Sequence, residues 1–517
     1  MRHASTDGNA RTFVDIAASL LAVAVAPVFP LLSLLGCGDA PANPASSPDT
    51  PLDAGSEAAP DAGSPPAPDA GEEPDARTDG SASSHVKWNP GHYGLTYGPI
   101  LRYGQAINTS ELDTLGGKSA IVGYKSLLYW AALDLGAVTF TASVGGATSG
   151  ALTSTSTSGG GGAGEALTNG TYWFSFADGS YRKVTLSGTS SSWSGALAAG
   201  SITTAYVYQF SQIDEHLSYL RTKLDVPRHY ALTVLPGTFT SPGLSSEVIP
   251  NYILTDPAMG PSPTPGSYGW WGGKGNGNTA TAALHRSAVN ERWIALVKAL
   301  GAYFDSEPYF EAFVVQEDSW EEGALSTNGC PDYSNHAYVE NLESFLSAAV
   351  GAFPHTNVVQ QNSWVGVATD AQELAEWMTK NRVAPGNADT WGQSYIKAKG
   401  IAEGLPWGVA AYAGVVSPGS TWPTPYDMRP VIRYMPDVEA PDMGLFGGIG
   451  GGPFTPADLV AALDQTLGAS HVFWSIIPDK TTGILPPNDG GQVWWTNLCA
   501  FLASHPLTST GYPSAYP

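Results

Sequence analysis

From residue 86 onward, short apolar runs of strand length alternate with stretches whose apolar residues recur at helical spacing. "KWNPGHYGLTY" (87–97), "SAIVGYKSLLYWAAL" (119–133), "HYALTVLPG" (229–237) and the run at 309–317 predict the first four strands. "TNVVQQNSWVG", the short strand end "NADTWGQ", "MRPVIRYMPDVEA" (428–440) and "HVFWSIIPD" predict four more. Between them lie helical patterns. "FSQIDEHLSYLRTKL" (210–224) places Phe210, Ile213, Leu217, Leu220 and Leu224 on one face. "AALHRSAVNERWIALVKALGAYF" (282–304), "YVENLESFLSAAVGAF", "DAQELAEWMTKNR" and "GQVWWTNLCAFLASH" read the same way. "TPADLVAALDQTLGA" (455–469) opens with Thr as N-cap and Pro at the first helical position. About eight such alternations predict an α/β fold of the (β/α)8 TIM-barrel type rather than an open doubly wound sheet. No Gly-rich phosphate fingerprint follows the first strand, which disfavours a dinucleotide cofactor.

One stretch breaks the alternation. Residues 137–205 are rich in Gly, Ser and Thr, with "STSTSGGGGAG" in the middle. "GTYWFSFADGSYRKVTLSG" then alternates apolar and polar positions about Asp178-Gly179, a hairpin signal. The flanks "YWAALDLGA" and "YQFSQIDEHLSYL" make sense joined together, so 137–205 is expected to be an all-β module inserted into a barrel that spans 85–136 and 206–517.

Composition narrows the function. The 517 residues carry 43% hydrophobic and only 13% charged positions, with 60 Gly and 40 Pro, which suits long loops on a globular scaffold. The net charge of −23 argues against nucleic acid as a partner, because phosphate backbones are bound by clustered Lys and Arg. Much of that charge is concentrated early: residues 38–84 hold ten acids against one Arg. This stretch repeats Asp-Ala-Gly at 53, 61 and 69 and has almost no large apolar residue, so it is expected to remain an extended, mobile linker.

The N-terminus reads as an address. Arg2 and Arg11 precede the apolar span "FVDIAASLLAVAVAPVFPLLSLLG", and Cys37 follows Leu34-Leu35-Gly36. The segment 1–37 resembles a lipoprotein signal with its lipobox, which implies lipidation of Cys37 and a membrane as partner. A signal cut elsewhere, or a retained anchor, are the other readings. Only Cys330 and Cys499 remain, and their spacing does not say whether they pair. With no CxxC, no HExxH and scattered His, no metal or cofactor is expected.

In a barrel of this kind, chemistry sits at the C-terminal ends of the strands. There the sequence offers His92, Trp130, Gln316, Glu317, Gln361, Asn362, Trp364, Asp389, Trp391, Asp437, Glu439 and Trp474. Carboxylates, amides and indoles on one rim suit a sugar: ring faces stack on Trp and hydroxyls bond to amides and acids. Trp130, Trp364 and Trp474 equally suit core packing. Asp389 also reads as a turn or cap residue, His92 as a loop cap, and Cys330 as structural or idle.

"YWAALD" followed by "YQFSQIDEHLSYL" is similar to a Trp-x-x-Leu-Glu and Tyr-x-Phe-x-x-Ile-Asp pair in barrel glycoside hydrolases of the retaining clan, among them cellulase-, mannanase- and β-galactosidase-like barrels. The resemblance implies Glu317, after the fourth strand, as acid/base and Glu439, after the seventh, as nucleophile. It also implies Trp474 as the floor of the pocket. Gln316 stands where that clan usually has Asn. The expected substrate is an oligo- or polysaccharide, with His92, Trp130, Gln316, Gln361, Asn362, Trp364, Asp389, Trp391 and Trp474 as contacts. Two other readings stay open: a carbohydrate-binding surface lipoprotein on a catalytically inactive barrel, and a structural surface lipoprotein.

Overall fold

The computed structural model describes residues 85–96, 100–141, 149–150, 167, 169–187, 190–193, 202–238, 245–261, 268–272, 280–315, 330, 332–361, 370, 373–374, 377–378, 380–387, 435–438, 460, 463–464, 469–476, 494–508 and 510–512. The chain divides into two units, and all described residues fall in the second, 82–517. The signal and linker expected at 1–37 and 38–84 lie outside them. No helix among the described residues is long and apolar enough to cross a membrane.

The fold is mixed α/β, built on a curled, all-parallel sheet. Its strands are β1 (Gly91–Leu95), β2 (Ile121–Tyr129), β3 (His229–Leu235) and β4 (Phe310–Val315). They are followed by β5 (Asn357–Gln361), β6 (Ala384–Asn387), β7 (Met435–Val438) and β8 (His471–Ser475). Each pairs in parallel with the next, and β8 returns to β1, with Gly91 opposite His471 and Leu95 opposite Ser475. β4, β5 and β8 are buried at every position. Such strands read as continuous apolar runs because both faces are covered.

Two apolar clusters lie on either side of the sheet. The inner one joins Tyr93, Leu95, Ala231, Ala312, Val314, Val359, Ala384 and Phe473. The outer one packs the opposite strand faces under helices α1 (Ser211–Thr222), α2 (Ser287–Phe304), α3 (Asn335–Ala352) and α4 (Trp494–Ala503). α2 buries Val289, Trp293, Leu296, Val297, Leu300 and Phe304, a helical stripe. α3 starts where the Ser334 hydroxyl caps the Ala337 amide at 3.4 Å. The two helices approach closely at Gly301, where a Cβ would stand 2.3 Å from the carbonyl oxygen of Ala352.

The expected first strand, 87–97, is shorter than its apolar pattern. Pro90 has no N–H to give a ladder, and residues 86–89 instead run beneath the N-terminal ends of the strands. There Glu311 is wholly buried. The Asn89 amide N–H donates to its Oε1 (2.9 Å) and the Asn89 side chain to Oε2 (2.7 Å). The Asn357 side chain donates at 3.1 Å and His471 Nε2 lies 3.2 Å away. Burial alone would raise this carboxyl. The His471 hydrogen bond, the charge of the His471 and His229 rings and the Asn89 bond outweigh it and hold the group at about 2. Trp88 closes the same end, edge-on to His471 at 5.1 Å, with its indole N–H on the Thr510 carbonyl oxygen.

Between β2 and α1 the chain builds a six-stranded antiparallel sheet. Its order is Asp134–Thr141, Ile202–Tyr208, Gly170–Phe176, Tyr181–Ser187, Ser190–Trp193, Ser149–Gly150. The sheet runs from Asp134 to Tyr208, three residues beyond 137–205 on each side. The turn at Asp178-Gly179 forms as its sequence predicts: Gly179 has φ +80°, and Asp178 Oδ1 accepts from the Ser180 amide at 2.9 Å. The sheet keeps its own core of Leu135, Val138, Tyr172, Phe174, Val184 and Val207. Trp173, on the other face, meets Tyr303 of α2 edge-on at 5.0 Å.

Candidate functional site

Strand parity decides what can reach the interior of the ring. Members of the inner cluster fix the inward positions, and register extends them. Lys125 lies opposite both Leu95 and Ala231, Thr233 lies opposite Leu127 and Val314, and Gln361 follows Val359 by two. Lys125 is fully buried, with its ammonium 5.1 Å above the Phe473 ring. Asp437 is in register with Phe473. Toward the C-terminal ends the described interior therefore holds Lys125, Thr233, Gln361 and Ser475, four polar side chains that are all buried. Apolar residues alone would have filled the ring as core.

The sequence-predicted contacts divide into three groups. Gln361 occupies the last position of β5 on the inner face, 2% exposed. Glu317, Glu439, Gln316, Asn362, Trp364, Asp389 and Trp391 lie outside the described residues, as does Cys37. Their strand ends are described, however. β4 ends at Val315, two residues before Glu317, and β7 ends at Val438, directly before Glu439.

His92, Trp130 and Trp474 are each packed among other described side chains. Trp474 and His92 alternate with the inward Phe473 and Tyr93, so they face outward. The Trp474 indole N–H donates to His92 Nδ1 at 3.1 Å, and His92 Nε2 lies 3.0 Å from the His505 carbonyl oxygen. An indole only donates, so Nδ1 accepts and the proton sits on Nε2. Burial lowers the ring's affinity for a second proton. Trp474 is 1% exposed.

Trp130 does not end a strand but opens a single helical turn, Trp130–Leu133. Its ring packs on Trp293 at 4.8 Å and its N–H donates to Asp134 Oδ2 at 3.2 Å. Asp134, the last residue of the "YWAALD" motif, is a buried hub: the Gly136 amide and the Tyr252 hydroxyl also donate to it. Burial raises its carboxyl, and Arg292 opposes that from 4.0 Å. Arg292 lies 3.3 Å over the Tyr206 ring and donates to the hydroxyls of Tyr252 and Tyr208. The motif thus anchors the inserted module to the sheet and α2.

Sequence reasoning missed a cluster on the connections that leave the C-terminal ends of β3 and β4. His285 and Arg286 lie just before α2, and Cys330 and Asp332 just before α3. Arg286 grips Asp332 with two bonds, Nε to Oδ2 at 2.8 Å and Nη2 to Oδ1 at 2.9 Å, and also donates to the Tyr268 carbonyl oxygen. The Cys330 thiol lies 3.1 Å from Asp332 Oδ1 and 4.0 Å from His285 Nε2, and that nitrogen is 3.5 Å from Asp332 Oδ1. Burial, helped by the Asp332 charge, pushes the thiol up to about 11. Although partial burial opposes it, the Arg286 bonds hold Asp332 well below the usual carboxylate range. Burial lowers His285 despite Asp332 beside it. The thiol is therefore protonated near neutrality and is no nucleophile. What drew no attention in sequence was spacing: His285 and Cys330 are 45 residues apart, and only the neighbouring loop ends bring them together. A second group, His336, Asp370 and Glu373, places ligand-type atoms within reach of one another nearer solvent.

No family model matches the chain. No curated protein matches it in sequence. Among solved structures, a beta-galactosidase from Rahnella sp. R3 superposes with TM-score 0.34 at 10% identity, over 58% of this chain and 49% of that one. An exo-beta-agarase superposes with TM-score 0.28 at 9% identity, over 59% and 51%. The chain spans about half the length of each glycoside hydrolase it is similar to.

Proposed function

We propose that the chain is an exported, lipid-anchored glycoside hydrolase on a (β/α)8 barrel, cleaving O-glycosidic bonds with retention through Glu317 and Glu439. One observation carries the reading. Counted round the ring, the fourth strand ends two residues before Glu317 and the seventh directly before Glu439. Strand C-termini are where barrels place their chemistry. Polar Lys125, Thr233, Gln361 and Ser475 at the inner face support it further.

In this mechanism Glu439 attacks the anomeric carbon while Glu317 protonates the leaving oxygen, and water then releases the sugar with Glu317 as base. Carboxyls about 5 Å apart do this. Glu317 has to keep its proton near neutrality, for which burial and the Glu439 charge are the available causes. Gln316, Gln361, Asn362, Trp364, Asp389 and Trp391 remain the proposed sugar contacts. The partner is an oligo- or polysaccharide, and the membrane is reached through lipid on Cys37.

The test is turnover of a panel of aryl glycosides and polysaccharides, with the anomer of the first product read by NMR. Glu317→Gln and Glu439→Gln should each lower turnover by on the order of 1,000-fold while the fold persists. An activated 2-fluoro glycoside should label the peptide that contains Glu439. Turnover with inversion, or activity surviving both substitutions, refutes the pair. Sugar binding without turnover makes the protein a carbohydrate binder.

A further inference from the structure

We propose that His285, Cys330 and Asp332 form a binding site for a zinc-class divalent ion that staples the β3 connection to the β4 connection. The three ligand atoms are mutually within reach, at 3.1, 3.5 and 4.0 Å. Tetrahedral zinc with ligand bonds of about 2.0–2.3 Å separates its ligand atoms by about 3.3–3.6 Å. Small side-chain shifts connect the two geometries. The donor set of one sulfur, one imidazole nitrogen and one carboxylate oxygen selects zinc over magnesium or calcium, which take oxygen ligands.

His285 is 6% exposed and turns Nε2 toward both the thiol and the carboxylate, so a buried imidazole nitrogen, a sulfur and a carboxylate oxygen converge on one point.

Arg286 is the obvious objection, since it brings a cation to a cation site. A thiolate and a carboxylate bring −2 against +3 from Arg286 and the ion, leaving one positive charge on a site whose carboxylate side is part exposed. Arg286 holds Asp332 from its Oδ2 side through Nε and shares Oδ1 through Nη2, so a lone pair of Oδ1 stays available. Ligating carboxylates are commonly oriented by such outer hydrogen bonds. Asp332 has a side chain 32% exposed, which gives an ion its way in. Binding converts the Cys330 thiol to thiolate and releases its proton to solvent.

The experiment is a titration of the full chain with Zn2+ against a chromogenic chelator, repeated with Co2+ to read thiolate-to-cobalt charge transfer. One equivalent should bind, with about one proton released at pH 8, and zinc should protect Cys330 from iodoacetamide as mapped by mass spectrometry. Cys330→Ser and His285→Gln should each weaken binding by on the order of 100-fold, and Cys330→Ser should abolish the charge-transfer band. The site is overturned if the unsubstituted chain shows no thiolate band, or if Cys330 alkylates equally fast with and without zinc. Stoichiometric binding that survives Cys330→Ser overturns it as well. The first two readouts use no variant, so a poorly folding substitution leaves the answer intact.

Discussion

Replacing Glu311 by Gln tests whether the N-terminal end of the ring is held by charge or by shape. The substitution keeps the side-chain volume and one oxygen. It removes the negative charge that His471 and His229 face, and it sets an NH2 against the Asn89 side chain, two donors in contact. The magnitude follows from the carboxyl's displacement from 4.5 to about 2. At roughly 1.4 kcal/mol for each unit, the native environment stabilises the ionised form by about 3 kcal/mol. The sign is that of a depressed carboxyl: the contribution is complete above the unfolded value near 4.5 and disappears as pH falls toward 2. Urea unfolding followed by tryptophan fluorescence should show Glu311→Gln about 3 kcal/mol less stable at pH 7, with the gap closing between pH 4.5 and 2. A gap under about 1 kcal/mol at pH 7, or one that stays constant into acid, refutes the electrostatic account.

Trp474→Phe should keep the packing, strand His92 Nδ1 without its donor and cost about 1–2 kcal/mol, with turnover unchanged. A large loss of activity at normal stability would return Trp474 to the sugar site. His216 is stacked between Tyr124 and Tyr230, and burial lowers its ring to about 4. Its contribution is present above pH 6.5 and lost as pH falls toward 4, so His216→Phe should flatten the stability drop between pH 8 and pH 5 by about 2 kcal/mol in the same unfolding assay. Gly301→Ala should push α2 from α3 and lower stability by about 1–3 kcal/mol, measured by thermal unfolding. A neutral result would mean that the helices slide apart freely. Asp134→Ala should cost more than any of these, about 3–5 kcal/mol, because it leaves Arg292 buried without its carboxylate.

The sheet was legible because its strands are buried on both faces. Apart from Glu311, Phe310–Val315 is apolar, as is Val472–Trp474, and no alternation is needed to find them. That same property hid the direction of each side chain. In "HVFWS" nothing tells Phe473 from Trp474, yet the register with β1 turns the first inward and the second outward. The packing of Trp474 against His92 was hidden in this way. The hairpin at Asp178-Gly179 was legible because turn chemistry is local. The His285, Cys330 and Asp332 cluster was not, since its members come from two connections and meet only when β3 and β4 pair. The Glu311 network was hidden for a different reason. A bulge between Phe310 and Ala312 points an acid into an otherwise apolar strand, and a register irregularity leaves no mark in composition.

The inserted sheet begins and ends on paired strands. Asp134 lies opposite Tyr208, and the two strands run antiparallel from there. Beyond the contacts of Trp173 and Tyr206 with α2, the rest of this sheet is a stalk whose two feet already stand side by side. The closure entropy of a connection depends on how far its ends must be brought together and only weakly on what hangs beyond them, about 0.6 kcal/mol for each doubling of length. The sheet can be lengthened, trimmed or exchanged at its far end without altering the geometry that the first strands present. With Asp134 and Arg292 securing the feet, this position between β2 and α1 behaves as a socket for interchangeable cargo, and is the natural place to graft a foreign domain onto this scaffold.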